Sequence, residues 1–340
     1  MRKLRIGLYP LSRDLSHPAD RRRIVSWARS RKHELIINES KNADLLFISE
    51  GSDFLKLSNL TGPPKIFDLI DGYLSPQDPK VDISRGISKS ILRQHKTYPR
   101  SFSSMVRKTC RQVDMVVCSS PEQSETIFPY NSNVRIILDN HSEFPLLNFK
   151  KKSLSPLSIF WEGTTHTLQG LEKLLKAIEV EDVRVNIVTD PEHFRLMGKY
   201  RKEDVERRLS STIDNYLYQF TRWTVDNVVS ISNSSNLAVL PVDTTDKLQL
   251  LKPENRLLIM FRLGLPCLTS ALASYKRIED ILETKITCET YEEWSTSIHA
   301  FRENPEILEH QVSRGQKYIL ENHTEEILHQ KWDDAVESLL

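Results

Sequence analysis

Residues 236–275, NLAVLPVDTTDKLQLLKPENRLLIMFRLGLPCLTSALASY, hold the side chains best suited to chemistry. An apolar run ends at Pro241, and a polar loop with Lys247 follows. Lys252-Pro253-Glu254-Asn255-Arg256 then open a helix that Gly264 stops, and a second apolar run, 266–270, comes directly after. That order puts a lysine, an amide and an arginine around a helix N-terminus at the carboxyl edge of a sheet. Free backbone N–H groups and the helix dipole favour an anion there. Lysine and arginine add mobile and bidentate phosphate donors. The chemistry on offer is neutralisation of a phosphate. Taken alone, Lys252 and Arg256 are equally what a water-facing helix start carries.

A second strand end, Ile159-Phe160-Trp161-Glu162-Gly163-Thr164-Thr165, leads into a helix from Leu168. Its hydroxyls and N–H groups suit phosphate or acceptor contacts, and a plain βα turn with a threonine cap fits the same residues. His166 stands next in line. Three strand ends in the first half are also polar. They carry Asp68 and Asp71 in 67–73, Ser119, Ser120, Glu122 and Gln123 in 114–123, and Asp139, His141 and Glu143 in 136–143. Each of these also reads as loop capping.

Such residues need a sheet to hold them at one edge. Short apolar runs at 4–9, 34–38, 44–49, 65–70, 114–119 and 134–138 alternate with helical stretches such as 21–31 and 101–113. A second set begins at 157–161 and continues through 183–189, 220–223, 236–241, 266–270 and a weak 285–288, with helices at 168–178 and 255–263. Short strands alternating with helices imply βαβ units and parallel sheets. The fold class is therefore α/β, as two Rossmann-like domains, with a single large α/β domain as the alternative. Residues 141–158 show neither period and read as a linker. The expected division is 1–150, 151–322 and a C-terminal helix over 323–340 that crosses back to the first domain. Parallel sheets bind ligands outside their carboxyl ends, so a cleft between the domains is the expected site.

With 340 residues, 39% hydrophobic and 27% charged, the chain can build cores and is not a disordered segment. Its 10 glycines form neither GxGxxG nor GxxxxGK[ST], which sets aside a dinucleotide fingerprint and a P-loop. Four cysteines without CxxC spacing argue against a zinc site or disulfide framework and for a reducing compartment. No metal is expected, because no DxD motif sits at a strand end. No run reaches 18 apolar residues and no signal-peptide region is visible, so a cytoplasmic location is expected.

The net charge of +1 hides a split. Residues 1–150 carry 24 basic and 16 acidic side chains, and the remainder 23 and 30. Ten of the basic residues fall in 2–32 and nine in 80–111, among them Arg93, Lys96 and Arg100. A solvated face, an anionic acceptor, anionic lipid headgroups and nucleic acid all fit such a surplus. Stacking aromatics are not interleaved with it and no recognition motif appears, which sets nucleic acid aside. Contact with a membrane surface or an anionic glycan fits better.

The 236–275 segment as a whole resembles the donor-binding half of retaining GT-B glycosyltransferases. These are the group 1 or family 4 kind that includes bacterial polysaccharide and lipopolysaccharide transferases. The residues that carry the resemblance are 237–241, Lys252, Asn255, Arg256, Gly264-Leu265-Pro266, Thr269-Ser270 and Tyr275. Many members carry two glutamates eight positions apart, but here those places hold Leu251 and Ile259. The resemblance implies a nucleotide-sugar co-substrate with no other cofactor, and Lys252 and Arg256 as the cations on its diphosphate.

In the same way Gly163, Thr164, Thr165, Lys247, Pro253, Glu254 and Asn255 would face the donor, with Thr189, Asp190 and Trp223 at its nucleoside. Ser119, Ser120, Glu122 and Asp139 would line the acceptor side, with Asp71 and His141 near the acceptor hydroxyl. Retention of configuration, a glycan or lipid-linked acceptor, and a peripheral position at the inner membrane face complete that reading. A non-catalytic subunit of a glycan assembly complex, a nucleic-acid-binding protein and a sugar epimerase of the same fold are the alternatives.

Overall fold

The computed structural model describes residues 2–75, 78–91, 94–95, 101–178, 180–195, 200–213 and 216–340, and the side chains of 193–203 are left aside. Arg93, Lys96 and Arg100 of the basic stretch lie outside these residues. The chain forms two compact units, residues 1–141 with 246–253 and 323–340, and residues 142–245 with 254–322.

The first unit carries β1 (Arg5–Tyr9), α1 (Pro18–Arg21), α2 (Ile24–Ser30), β2 (Glu34–Ile37), β3 (Leu45–Ser49), α3 (Phe54–Ser58), β4 (Lys65–Asp68), α4 (Pro79–Ile91), α5 (Phe102–Gln112), β5 (Met115–Cys118), α6 (Pro121–Ile127) and β6 (Val134–Ile136). Its strands pair in parallel in the order β2-β1-β3-β4-β5-β6. Successive strand side chains point to opposite faces, and here both faces are apolar. Ile66, Met115 and Val117 enter one core while Phe67, Val116 and Cys118 enter the other. That double burial is why runs such as 45–48 and 115–118 read as unbroken apolar stretches.

The second unit carries β7 (Leu157–Glu162), α7 (Leu168–Ala177), β8 (Val183–Thr189), β9 (Glu192–Arg195), β10 (Tyr200–Asp204), α8 (Val205–Thr212), β11 (Leu217–Arg222), α9 (Val225–Ser234), β12 (Leu237–Leu240), α10 (Asn255–Arg262), β13 (Cys267–Ser270), α11 (Ala273–Leu282), β14 (Thr287–Cys288), α12 (Tyr291–Glu303) and α13 (Pro305–Asn322). Its six-stranded sheet runs β11-β8-β7-β12-β13-β14, all parallel. Leaving out the separate β9–β10 hairpin, this is the doubly wound order 3-2-1-4-5-6, whose strand direction of travel reverses between β7 and β12. The hairpin is antiparallel and departs from the strand–helix alternation expected of the sequence.

A last helix, α14 (Glu325–Glu337), belongs to the first unit, where Trp332, Ala335 and Val336 join the core. Asp333 accepts from Trp27 Nε1 at 2.7 Å and from Arg31 Nε at 2.8 Å. The helix expected over 21–31 is broken between α1 and α2, and Arg23 at the break sends its guanidinium into the interior. Gly264 ends α10 with φ +66°, while its N–H and that of Leu265 bond to the carbonyls of Phe261 and Met260. This is a Schellman cap, and it explains why a glycine stops the helix there.

Candidate functional site

In the second unit, β7 ends at Glu162, and Gly163-Thr164-Thr165 turn the chain toward α7. A Cβ on Gly163 would lie 2.7 Å from Thr167 Oγ1 and 3.0 Å from Trp161 Cζ2, so glycine is the residue this close approach admits. Thr189, at the end of β8, donates from Oγ1 to the Gly163 carbonyl at 2.7 Å and accepts at its own carbonyl from the Trp223 N–H at 2.9 Å. Trp223, just beyond β11, donates from Nε1 to Glu162 Oε2 at 3.1 Å. Three strand ends are thereby tied together across the sheet edge. Thr164, His166 and Asp190 are exposed there, and Thr165 is buried.

Arg256, in the first turn of α10, closes the network. Its Nε donates to Glu162 Oε1 at 3.2 Å, its Nη2 donates to the Glu162 carbonyl, and its guanidinium lies 5.6 Å from the Trp161 ring centre. Nothing in the sequence around this arginine, expected on a phosphate, signals its pairing with Glu162. The structure shows an ion pair whose side chains are 22% and 8% exposed. Glu162 holds the guanidinium at the β7–β12 reversal, where doubly wound sheets take ligands. It also reduces the positive field that Arg256 presents. Glu254, the N-cap of α10, is buried, makes no side-chain capping bond and accepts from Arg277 Nη2 at 3.0 Å. Tyr275 is buried beneath, and burial pushes its phenol up.

Lys247, Lys252 and Pro253 belong to the first unit, whereas Glu254, Asn255 and Arg256 belong to the second. The reason is packing. Leu248 lies against the apolar cluster of Leu69 and Tyr73, and Ser120 Oγ donates to the Leu251 carbonyl at 3.5 Å. A Cβ on Gly72 would meet Leu251 Cβ at 3.1 Å.

The first unit gathers its polar strand ends around two buried groups. Arg23 donates from Nε and Nη2 to the two Asp68 oxygens at 2.9 and 2.6 Å. Its Nη1 reaches the Ile137 carbonyl at 2.5 Å, Ser119 Oγ at 3.2 Å and Asp139 Oδ1 at 3.3 Å. Burial alone would weaken this cation's hold on its proton, yet Asp68 and Asp139 more than offset that and keep its pKa above the ordinary guanidinium value. Ser119 and Asp139, expected on the acceptor side, are thus bound to an internal arginine. Gln123 is the second hub. It takes the Ser119 N–H at 3.1 Å and donates to the carbonyls of Leu69 and Asp71 at 2.8 and 3.2 Å, while Ser120 caps α6 through the Gln123 N–H. Glu122 lies in the first turn of α6, and His141 is buried.

Asp71 sits on a loop held by Glu50, whose Oε2 accepts from the Ile70 and Asp71 N–H groups at 2.9 and 3.0 Å. Tyr73 donates to Asp71 Oδ2 at 3.4 Å. Burial, reinforced by Asp71, raises the Glu50 carboxyl to about 8. The Lys89 ammonium rests 5.4 Å from the Tyr73 ring centre and 4.2 Å from that of Phe102, and burial lowers its pKa. Sequence reasoning missed both Arg23 and Glu50. The triplet Arg21-Arg22-Arg23 looks like surface charge. A carboxylate directly after the apolar run 44–49 was the only sign of Glu50.

Among the described residues no group of three or more His, Cys, Asp or Glu is placed to hold a metal ion. A groove of about 1050 Å³ opens at the opposite, amino edge of the second unit's sheet, between Leu175, Asp182, Arg184, Tyr216, His299 and Arg302. It contains none of the candidate residues.

No family model matches the chain, and no curated protein matches it. Solved structures do match. Anabaena Alr3699/HepE, crystallised with UDP and glucose, superposes with a TM-score of 0.67 at 11% identity over 99% of this chain and 100% of that one. WaaG, a glycosyltransferase involved in lipopolysaccharide biosynthesis, gives 0.56 at 9% identity over 97% and 98%. TarM gives 0.60 at 11% identity over 86% of this chain, which spans only 54% of TarM's length. At such identities the likeness speaks for the fold, and the fold is that of the GT-B glycosyltransferases, two Rossmann-like units.

Proposed function

We propose that the protein is a glycosyltransferase that moves a sugar from a nucleotide-activated donor to a glycan or lipid-linked acceptor in bacterial surface polysaccharide synthesis. The observation that carries this reading is the tying of Glu162, Gly163, Thr189, Trp223 and Arg256 into one network at the β7–β12 reversal. The shared fold with HepE, crystallised with UDP and glucose, supports it.

The donor diphosphate would lie on the turn Gly163-Thr164-Thr165 and the start of α10, at Asn255. Arg256, held by Glu162, and Lys252, four residues earlier in the chain, would neutralise the charge that develops on the leaving group. Fixed positive charge stabilises a departing diphosphate without a protonating acid, and no metal is required for that step. Thr189, Asp190 and Trp223 would face the nucleoside, and Lys247, Pro253 and Glu254 would shape the approach to it. On the first unit, Asp71 and His141 would stand near the acceptor hydroxyl. Ser120 and Glu122 would line that edge, with Ser119 and Asp139 bracing it through Arg23. The retaining outcome rests on resemblance to the family.

The test is a thermal-shift screen against nucleoside mono- and diphosphates, followed by calorimetric titration of the nucleotide that gives the largest shift. Lys252→Ala and Arg256→Lys proteins should melt as folded proteins and bind it at least about tenfold more weakly, the loss of one charge-assisted contact. Unchanged affinity in both would remove the phosphate site. A non-catalytic subunit is the second reading, favoured by the aliphatic Leu251 and Ile259 where many family members have acids. Slow hydrolysis of a nucleotide sugar by the wild type, absent in the Lys252→Ala protein, would exclude it.

A further inference from the structure

One edge of the second unit's sheet is left open in a way the other edges are not. Sheet edges carry unpaired backbone groups, and proteins blunt them with short strands, charge or proline. Of the four edges of the two six-stranded sheets, three are blunted. β2 has four residues and begins with Glu34, β6 has three with Arg135 at its centre, and β14 has two. β11 (LYQFTR) runs six residues, holds no proline and carries one charge, Arg222, at its last position. Among the described residues it pairs with β8 alone. Tyr218 and Phe220 pack on the core of the unit, whereas Leu217 is 63% exposed and Gln219, on the same face, is exposed as well.

One hydrogen bond fixes which of its backbone groups face outward. N–H groups alternate between the two sides of a strand, and the Trp223 N–H goes back to the Thr189 carbonyl of β8 at 2.9 Å. The N–H and C=O groups of Tyr218, Phe220 and Arg222 therefore point away from the sheet, where Asn227 Nδ2 donates to the Arg222 carbonyl at 2.8 Å. We propose that β11 pairs antiparallel with β11 of a second copy about a two-fold axis at Gln219, so that the two six-stranded sheets run on as one. The strand is self-complementary in that register. Tyr218 and Phe220 of one copy exchange hydrogen bonds with Phe220 and Tyr218 of the other, an aromatic pair on each side of the axis. On the exposed face Gln219 meets Gln219, and Leu217 meets Thr221. Arg222 faces Tyr216, so no like charges oppose one another. Moving the axis to Phe220 would call on the Arg222 carbonyl, which Asn227 already holds. Any strand can satisfy the backbone, and it is the matching of side chains about one axis that selects a second copy as occupant. The pairing involves the second unit alone and does not depend on sugar transfer.

The experiment is sedimentation velocity of the full chain at concentrations up to about 100 μM, where the wild type should run as a dimer. Gln219→Lys sets two ammonium groups against each other across the axis and should weaken dimerisation at least about tenfold. Gln219 is exposed, so the far-UV circular dichroism of that variant should match the wild type. Cross-linking reads the register. Opposed residues of a non-hydrogen-bonded antiparallel pair have Cα atoms about 4.5 Å apart, within disulfide reach. Gln219→Cys should therefore cross-link to itself under mild oxidation. Leu217→Cys should not, because its two copies lie four residues apart along the pair, about 14 Å. The four native cysteines are buried. A wild type that stays monomeric at about 100 μM would overturn the proposal, even if the edge takes a strand of another protein. So would a dimer that Gln219→Lys leaves intact, or cross-linking by Leu217→Cys in place of Gln219→Cys.

Discussion

Replacing Arg23 by Met removes a cation on which two buried carboxylates depend and leaves an apolar chain of similar length. In the wild type the guanidinium has no exposed side-chain surface and contacts both oxygens of Asp68, with Asp139 at 3.3 Å. Breaking a buried pair by removing one partner costs about 3–5 kcal/mol, and two stranded carboxylates place this case at the upper end. At the size of one unit, that is a fall in melting midpoint on the order of 10–20 °C.

The penalty should depend on pH. Burial already lifts the Asp68 carboxyl above its ordinary range while Arg23 pulls it back, so without Arg23 it rises further. A carboxyl with a raised folded pKa keeps its full contribution at low pH and loses it as pH rises through that value. The variant should therefore lose more stability near pH 8 than near about pH 5. Urea unfolding followed by far-UV circular dichroism at both pH values measures this, with exposed Lys41→Met as a control expected within about 0.5 kcal/mol of wild type. Adding Asp68→Asn and Asp139→Asn should recover part of the loss. An Arg23→Met protein that unfolds with the wild type, or equally early at both pH values, would refute the reasoning.

Glu50 gives a second pH effect of the same sign. Burial and Asp71 raise it from 4.5 to about 8, so the stability it contributes is full below 4.5 and is lost as pH rises through about 8. Glu50→Gln keeps an oxygen for the Ile70 and Asp71 N–H groups and should flatten that decline in melting midpoint between about pH 5 and 9. Gly170→Ala should destabilise the second unit by about 1–3 kcal/mol in urea unfolding. A Cβ there would lie 2.6 Å from the Pro241 carbonyl oxygen, a backbone atom that moves only with the loop after β12.

What the sequence determined by itself is local. Strand side chains alternate between faces, so the unbroken apolar runs at 45–48 and 115–118 had to be buried on both sides, which only helix-covered parallel sheets provide. Gly264 after the last periodic residue of α10, and the polar residues directly after each strand, depend on neighbours in the chain and were legible for that reason. Tertiary structure alone decided what those polar residues do. Arg23 finds Asp68, Ser119 and Asp139 at separations of 45, 96 and 116 residues, and Arg256 finds Glu162 at 94. The break between α1 and α2, the β9–β10 hairpin and the passage of Lys252 into the first unit were equally out of reach. Charge pairing follows distance in space, and chain order does not encode that distance until the sheets have formed.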